Sequence, residues 1–555
     1  MASAAEFLAR RTSGANVVAL PAPSETRTDD ADFDAALNAA RIDGQAARTD
    51  DAKAIAQRNE RSMREAVGGM SVIIDQHGEG RLVIGSEAIL LESQRALDHV
   101  GAAVYERTGK VLSADKLRTE LSVLRAKAAQ TNIRTPVYKR VASYEGSIVI
   151  DMGDGRGVYV SNGRIEVREH AGPLFKRGPG YGTLPEPKRY DSTAAAFATL
   201  SVVFSKMGIP ENRHLLLAVA LANALRPSVP YVIALLIGGA GSGKTTTAGN
   251  LAAFIDPTTS GELPNVPLNA QDVAAVAQEH HTLGVDNVSK ITPSESDLLC
   301  MVVNGSEFVV REFHTRKETT RLYAHCQFFI TAITNPATRG DLLDRVLPIT
   351  LEPHGNYKGE DEIRQWFAKV QPAAFGAIVQ LLAAGLARLP EVRKQQIWTH
   401  RLVDYCQLGE AINQACGRER GEFVEAFNGL RRESAEEAAS GDPVIQHVLD
   451  VVRDLAAKGE QATNFPSWRR WGAAGHCAIK NDSGVHVAVK ASFLREHVRV
   501  AALINNNRGW LPESDKAMSD VITQKKPTLA AIGISVRREC FNGDSGAAWV
   551  FSWAE

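Results

Sequence analysis

Residues 238–245 read Gly238, Gly239, Ala240, Gly241, Ser242, Gly243, Lys244, Thr245, a complete GxxxxGKT sequence. It follows the apolar run Tyr231–Ile237 and opens a helical segment, Thr245–Phe254. Strand, glycine loop and helix in that order point to a layered α/β domain on a parallel sheet. Glycines let successive N–H groups curl around an anion, and the helix start adds partial positive charge. Lys244 is placed to reach the β- and γ-phosphates, and the Thr245 hydroxyl to bind Mg²⁺. The pattern predicts a nucleotide site running from Gly238 to Thr246, with ATP and Mg²⁺ as its ligands.

Such a loop needs a carboxylate on the metal side, at the end of a neighbouring strand. Asp286 ends the short apolar segment Thr282–Val285 and is the expected metal partner of Thr245. Further on, Phe308–Phe313 and Thr320–Thr334 read as two strands around a basic tip that carries His314, Arg316 and Lys317. The second strand is expected to run on through Phe328–Ile333 to Asn335, which can orient a lytic water against the γ-phosphate. Arg345 stands ten residues later, placed to reach the γ-phosphate of a neighbouring subunit.

Composition restricts the rest. The chain has 555 residues, 44% hydrophobic and 23% charged, which excludes a collagen, a wholly disordered chain and a small disulfide scaffold. Its formal net charge of −1 means that any nucleic-acid site is a local patch and not a global field. Six scattered cysteines form no CxxC and no zinc-ligand spacing, as expected of core thiols in a reducing compartment. No secretory signal is visible at the amino terminus. The runs Leu215–Ala222 and Tyr231–Ile237 fall short of the roughly 18 residues that span a bilayer. A cytoplasmic protein without membrane contact is expected.

Along the chain, 1–65 reads as a flexible arm, 66–132 as a helical region, and 133–190 as a small antiparallel β unit with a linker. Asn162–Gly163 is a two-residue hairpin turn within that unit. Residues 191–353 form the nucleotide-binding core, 354–440 a helical lid, and 441–555 a winged-helix-like α+β domain. In the last, Trp468, Arg469, Arg470 and Trp471 interleave aromatic and guanidinium groups, as a nucleic-acid surface or a small packed core does.

The ordered set of glycine loop, Asp strand end, basic hairpin, Asn strand end and Arg resembles an AAA+ ATPase of the superfamily-three helicase type. It is most similar to the ATPase modules of phage, plasmid and integrative-element primase-helicases. The likeness rests on Gly238–Asp256, Asp286–Ser289, Ser296–Cys300 with Asn304 and Gly305, and Asp341–Arg345. It covers about residues 190–440. The resemblance implies an ATP-driven DNA motor with an AAA+ P-loop core, in which a homo-oligomeric ring, usually a hexamer, draws single-stranded DNA through a central pore. It places His314, Arg316 and Lys317 at that pore and makes Arg401, in the segment His400–Asp404, a second γ-phosphate sensor. No primase site stands in the amino-terminal third, so a primase or replication initiator is expected as a separate partner chain. One departure concerns Asn287, where many such motors carry a second acid after the metal carboxylate. Glu279 and Glu312 are the alternative bases. Two other readings keep the nucleotide site: a nucleotide-switched DNA loader or origin-binding ATPase, and a P-loop kinase or signalling ATPase.

Overall fold

The computed structural model describes residues 67–311, 319–337, 339–352, 359–395, 400–462, 464–465, 474–504, 511–541 and 547–554. The expected arm at 1–65 lies outside them. Contacts divide the chain into two units, Met1–Gly69 with His99–Glu120, and Met70–Asp98 with Leu121–Glu555. The first contains most of helix α1 (Gln94–Thr108) and the start of α2 (Ala114–Gln130), where a Cβ at Gly101 would touch Leu117.

The second unit opens with β1 (Ser71–Asp75), β2 (Gly80–Ile84) and β3 (Glu87–Leu90), paired as an antiparallel meander. This corrects the expectation that 66–132 is helical throughout. Two β-rich runs, Val72–Ile74 and Leu82–Ile84, flank a turn in which the Asp75 carboxylate accepts from the N–H groups of His77 and Glu79, each at 2.9 Å. Three short strands from beyond the helices complete the sheet: β4 (Arg134–Thr135), β5 (Val137–Tyr138) and β10 (Leu174–Phe175). Between β5 and β10 lies a separate meander of β6 (Val141–Tyr144), β7 (Ser147–Asp151), β8 (Arg156–Ser161) and β9 (Arg164–Glu169). Its last turn is at Asn162–Gly163, with φ of 40° and 84°, as the dipeptide predicts.

The centre is a parallel sheet of four strands in the order β12 (Thr282–Val288), β15 (Gln327–Ala332), β11 (Ile233–Ile237), β16 (Val346–Thr350). Its strands are mostly apolar because both faces are covered, with polar residues such as Asp286 and Thr331 toward their carboxy-terminal ends. Ala234 and Leu236 face a core shared with α3 (Thr193–Lys206), α4 (Glu211–Ala224), α5 (Lys244–Ala253), α9 (Glu360–Val392) and α10 (Val403–Ala415). Ile233, Leu235 and Ile237 face the other, built with α6 (Ala270–Val276) and α7 (Pro293–Asn304). The hairpin β13 (Ser306–Arg311) and β14 (Thr319–Ala324) is present where two strands were expected. Its second strand does not run on into Phe328: it ends at Ala324, and Gln327 begins a strand of a different sheet. The tip with His314, Arg316 and Lys317 lies outside the described residues.

Helix α9 is, by length and composition, apolar enough to cross a membrane. Over half of its apolar stretch is buried inside the protein, as in a core helix, and it packs on α3, α4 and α10. At Gly376 the backbone of Lys188 approaches so closely that a Cβ would lie 2.2 Å from its carbonyl oxygen. The short α8 (Gly340–Leu343) precedes β16, and α11 (Glu422–Ser440) follows α10. The carboxy-terminal part combines α12 (Pro443–Ala457), α13 (Ala491–Ile504) and α14 (Asp515–Ala531) with a five-stranded sheet. That sheet is ordered β17 (Glu460–Gln461), β18 (His476–Asn481), β19 (Gly484–Val489), β21 (Ala547–Trp553), β20 (Ser535–Cys540). Trp468–Trp471 lie outside the described residues. None of the six cysteines forms a disulfide, and among the described residues no cluster of three His, Cys, Asp or Glu could hold a metal.

Two neighbouring cations tie the β6–β9 meander to the central sheet. Lys139 Nζ donates to the carbonyls of Ala277, His280 and His325 at 2.8–2.9 Å. Arg140 is fully buried, with Nε 2.8 Å from Asp256 and its other nitrogens on the carbonyls of Asp151 and Gly182. The second Asp256 oxygen accepts from the N–H groups of His281 and Thr282 and from the Thr282 hydroxyl. Burial works against the Asp256 charge, but Arg140, His281 and these bonds hold the carboxyl below its ordinary range. A buried ion pair therefore fixes the entry of β12.

Candidate active site

The glycine loop leaves β11 at Ile237 and enters α5 at Lys244. Its tightness explains its residues. A Cβ on Gly238 would sit 2.6 Å from Ser242 Oγ, and Gly241 and Gly243 hold φ of 76° and 77°. Ser242 Oγ donates to the Gly239 carbonyl at 2.9 Å and braces the curl. Lys244 folds over the loop, with Nζ donating to the carbonyls of Gly238 at 2.8 Å and Gly239 at 2.7 Å. The amine thus lies over the glycine loop at the start of α5, where the helix dipole favours an anion.

Asp286 stands at the same edge of the sheet. Thr245 Oγ1 donates to Asp286 Oδ1 at 3.0 Å, and Thr331 Oγ1 donates to that same oxygen at 2.5 Å. Thr331 also accepts the Asn287 N–H at 2.8 Å. Between Val285 and Val288 the β12 register breaks, and Asn287 takes φ of 55°. This bend leaves Asp286 exposed at the edge. Two oxygens bound at right angles to Mg²⁺, each at about 2.1 Å, lie about 3 Å apart, so Thr245 and Asp286 fit the ion. Two protein oxygens and no full cage suit a Mg²⁺ that takes its other ligands from phosphate and water.

Because β15 runs between β11 and β12, its carboxy-terminal residues enter the space between glycine loop and carboxylate. Thr331 is the residue that sequence reading missed. Its signal was a hydroxyl inside the apolar run Phe328–Ala332. Asn335 lies three residues past β15 at the same edge; its side-chain oxygen accepts from Ala337 N at 3.0 Å, and its amide lies 3.5 Å from Glu437 of α11. Thr245, Asp286 and Thr331 share, with Glu262 and Glu360, the wall of a cavity of about 840 Å³ beside α5.

Other expected residues fall elsewhere. Glu279 lies before β12, at the end of the sheet away from Asp286, with its carboxylate packed against Gly178, so it cannot serve as the base. Glu312 lies outside the described residues. Arg345 precedes Val346, which pairs with Ile233 at the start of β11. It is therefore at the amino-terminal end of the strands, and the glycine loop is at the other. Five strand residues at about 3.3 Å each separate the two. Arg345 Nη1 donates to the Asp341 carbonyl at 2.7 Å. Arg401 also departs from expectation: it faces Asp344, beside Arg345, and not the glycine loop of its own chain.

Comparison with known proteins adds one family. Residues 204–422 match the sequence profile described as actinomycete integrative conjugative element replication protein. No curated protein matches the chain. Among solved structures, "SCCmec type IV Cch - active helicase" is 13% identical, with a TM-score of 0.38, covering 81% of this chain and 89% of that one. The apo "NrS-1 C terminal region" is likewise 13% identical, with a TM-score of 0.37 and coverage of 89% and 99%.

Proposed function

We propose that this chain is an ATPase that drives a DNA motor, of the ring-forming helicase kind, in the replication of a mobile element. The observation that carries the reading is the shared Asp286 oxygen, which Thr245 and Thr331 both reach beside the glycine loop. Thr245 and Asp286 would hold Mg²⁺, Lys244 and the loop N–H groups from Gly238 to Thr246 the phosphates, and Asn335 the water. Mg²⁺ supplies charge neutralisation at the phosphates; the chain's own groups orient them and exclude other geometries. The AAA+ arrangement is supported by β15 lying between the two nucleotide-binding strands, which gives a polar group a place between loop and carboxylate. A kinase or signalling role gains nothing from an arginine at the far end of the sheet. Arg345 at that end suits a homo-oligomer, of which a hexameric ring is the expected form, because it cannot reach its own chain's phosphates.

His314, Arg316 and Lys317, in the segment joining β13 to β14, are the proposed grip on single-stranded DNA, suited to phosphates without sequence reading. The match over 204–422 supports a replication setting; a cytoplasmic location and a separate primase or initiator belong to the same proposal. One observation favours the second reading, a nucleotide-switched loader: the position after Asp286 is Asn287, so no acid adjoins the metal carboxylate. Strand displacement separates the two. The wild-type chain should displace a labelled strand from a forked duplex with ATP and not with a non-hydrolysable analogue, and Lys244→Ala should not displace it at all. ATP-dependent assembly on DNA without displacement would favour the loader.

A further inference from the structure

Elements of two different sheets bring exposed rings together at the base of the β13–β14 hairpin. Tyr323 of β14 is 37% exposed, and its ring stacks on that of His77, with centroids 6.1 Å apart and planes 19° from parallel. His77 lies in the β1–β2 turn and is itself exposed. That turn is held on both sides. The Asp75 carboxylate accepts from the His77 and Glu79 N–H groups and pairs with Arg81. The Gln76 side-chain amide exchanges two hydrogen bonds with the Val137 backbone, at 2.8 and 2.9 Å. Tyr323 is fixed as well: its hydroxyl packs on Gly305, and its carbonyl accepts from Gln278 Nε2 at 3.0 Å. Two rings already locked at the surface lose little freedom when a third stacks on them.

Unpaired cations flank the rings. Arg134 is exposed, and its Nη1 lies 3.9 Å from the position a Cβ on Gly78 would take, next to His77. The parallel pairing of β5 with β10, continued by the Lys176 N–H on the Tyr138 carbonyl, sets Lys176 beside Lys139, whose ammonium is taken up by three carbonyls. Burial first, then Lys139 and Arg81, push Lys176 down to about 8 against Glu279 and Asp75. Among the described residues neither Arg134 nor Lys176 forms an ion pair. Of the carboxylates that act on His77, Asp75 is paired with Arg81 and Glu307 with Arg321. Burial first, with Lys176 and Arg81, holds His77 below its ordinary range against those two carboxylates, so it meets a ligand as a neutral ring.

We infer that the β1–β2 turn and the base of the β13–β14 hairpin form a contact for single-stranded DNA, in which a base stacks against the His77–Tyr323 pair and phosphates meet Arg134 and Lys176. Exposed ring faces take an unstacked base, which a duplex does not offer, and the cations grip the backbone without reading sequence. The inference rests on the proposed reading of the chain as a DNA motor and extends its DNA contacts to a second sheet. Tyr323 stands four residues past Thr319, about 13 Å of strand from the segment that joins β13 to β14. One DNA strand can therefore run from that segment to the turn.

The test measures binding of the full-length chain to a fluorescent oligothymidylate by anisotropy, over a range of salt concentrations. His77→Ala should weaken binding at least fivefold and leave the salt slope as it is, because a neutral ring releases no counter-ion. His77→Phe keeps the stacking face and should restore the affinity. Arg134→Gln should weaken binding and reduce the slope by about 0.7, the share of one phosphate on a single strand. Wild-type affinity in His77→Ala together with an unchanged slope in Arg134→Gln would overturn the inference, while DNA-stimulated ATP turnover in the wild-type chain would leave the motor standing. Tighter binding of a duplex of the same sequence would overturn it too. A wild-type chain that binds no single-stranded DNA would overturn both this inference and the reading beneath it.

Discussion

Thr331 donates to the Asp286 oxygen that also accepts from Thr245, and its own oxygen takes the Asn287 N–H. One hydroxyl thus fixes both the carboxylate and the bend that exposes it. Thr331→Val keeps the shape and removes both bonds. Turnover should fall by roughly 10–100-fold, the usual loss when the group orienting a metal ligand is removed. The Mg²⁺ concentration for half-maximal rate should rise, and Thr331→Ser should restore it. A Mg²⁺ titration checks this, and an unchanged titration would remove Thr331 from the site. Asn287 has a physical reason as well, since its left-handed backbone is one that Asn tolerates and a larger acid resists. The glycine loop, Thr245 and Asp286 were legible because each residue type answers a chemical need at fixed spacing. Thr331 was not, because a threonine in a strand is ordinary until the neighbouring strand is known.

Between elements, the buried pair of Arg140 and Asp256 joins the β6–β9 meander to the start of β12, the strand that ends at Asp286. Arg140→Met would leave a buried carboxylate unpaired and should cost about 3–5 kcal/mol, read as a lowered midpoint in urea. Adding Asp256→Leu should recover much of that loss; no recovery would show that Arg140 acts through its carbonyl contacts instead. Sequence pattern located this meander through its Asn162–Gly163 turn, because that turn is local chemistry. It missed the strands at 71–90, whose partners β4 and β10 come from beyond two helices. It also ran β14 and β15 together as one strand, since only a change of sheet over His325–Cys326 separates them.

For the whole molecule, the glycine loop and Asp344, with Arg401 and Arg431 beside it, lie at opposite ends of one parallel sheet. In the proposed oligomer, another copy would turn its Arg345 toward the glycine loop. Helix α11 carries both Arg431, paired with Asp344, and Glu437, beside Asn335, so it spans from Asp344 toward the end of β15. The placement of Arg401 could not be read from sequence, because a basic residue before a helix fits either end until Asp344 fixes it. The proposed function stands or falls with ATP turnover coupled to single-stranded DNA. The most direct measurement is steady-state ATP hydrolysis with and without single-stranded DNA, run beside Lys244→Ala. Strong stimulation by DNA that vanishes in Lys244→Ala is the expected result; slow hydrolysis indifferent to DNA would contradict the proposed function.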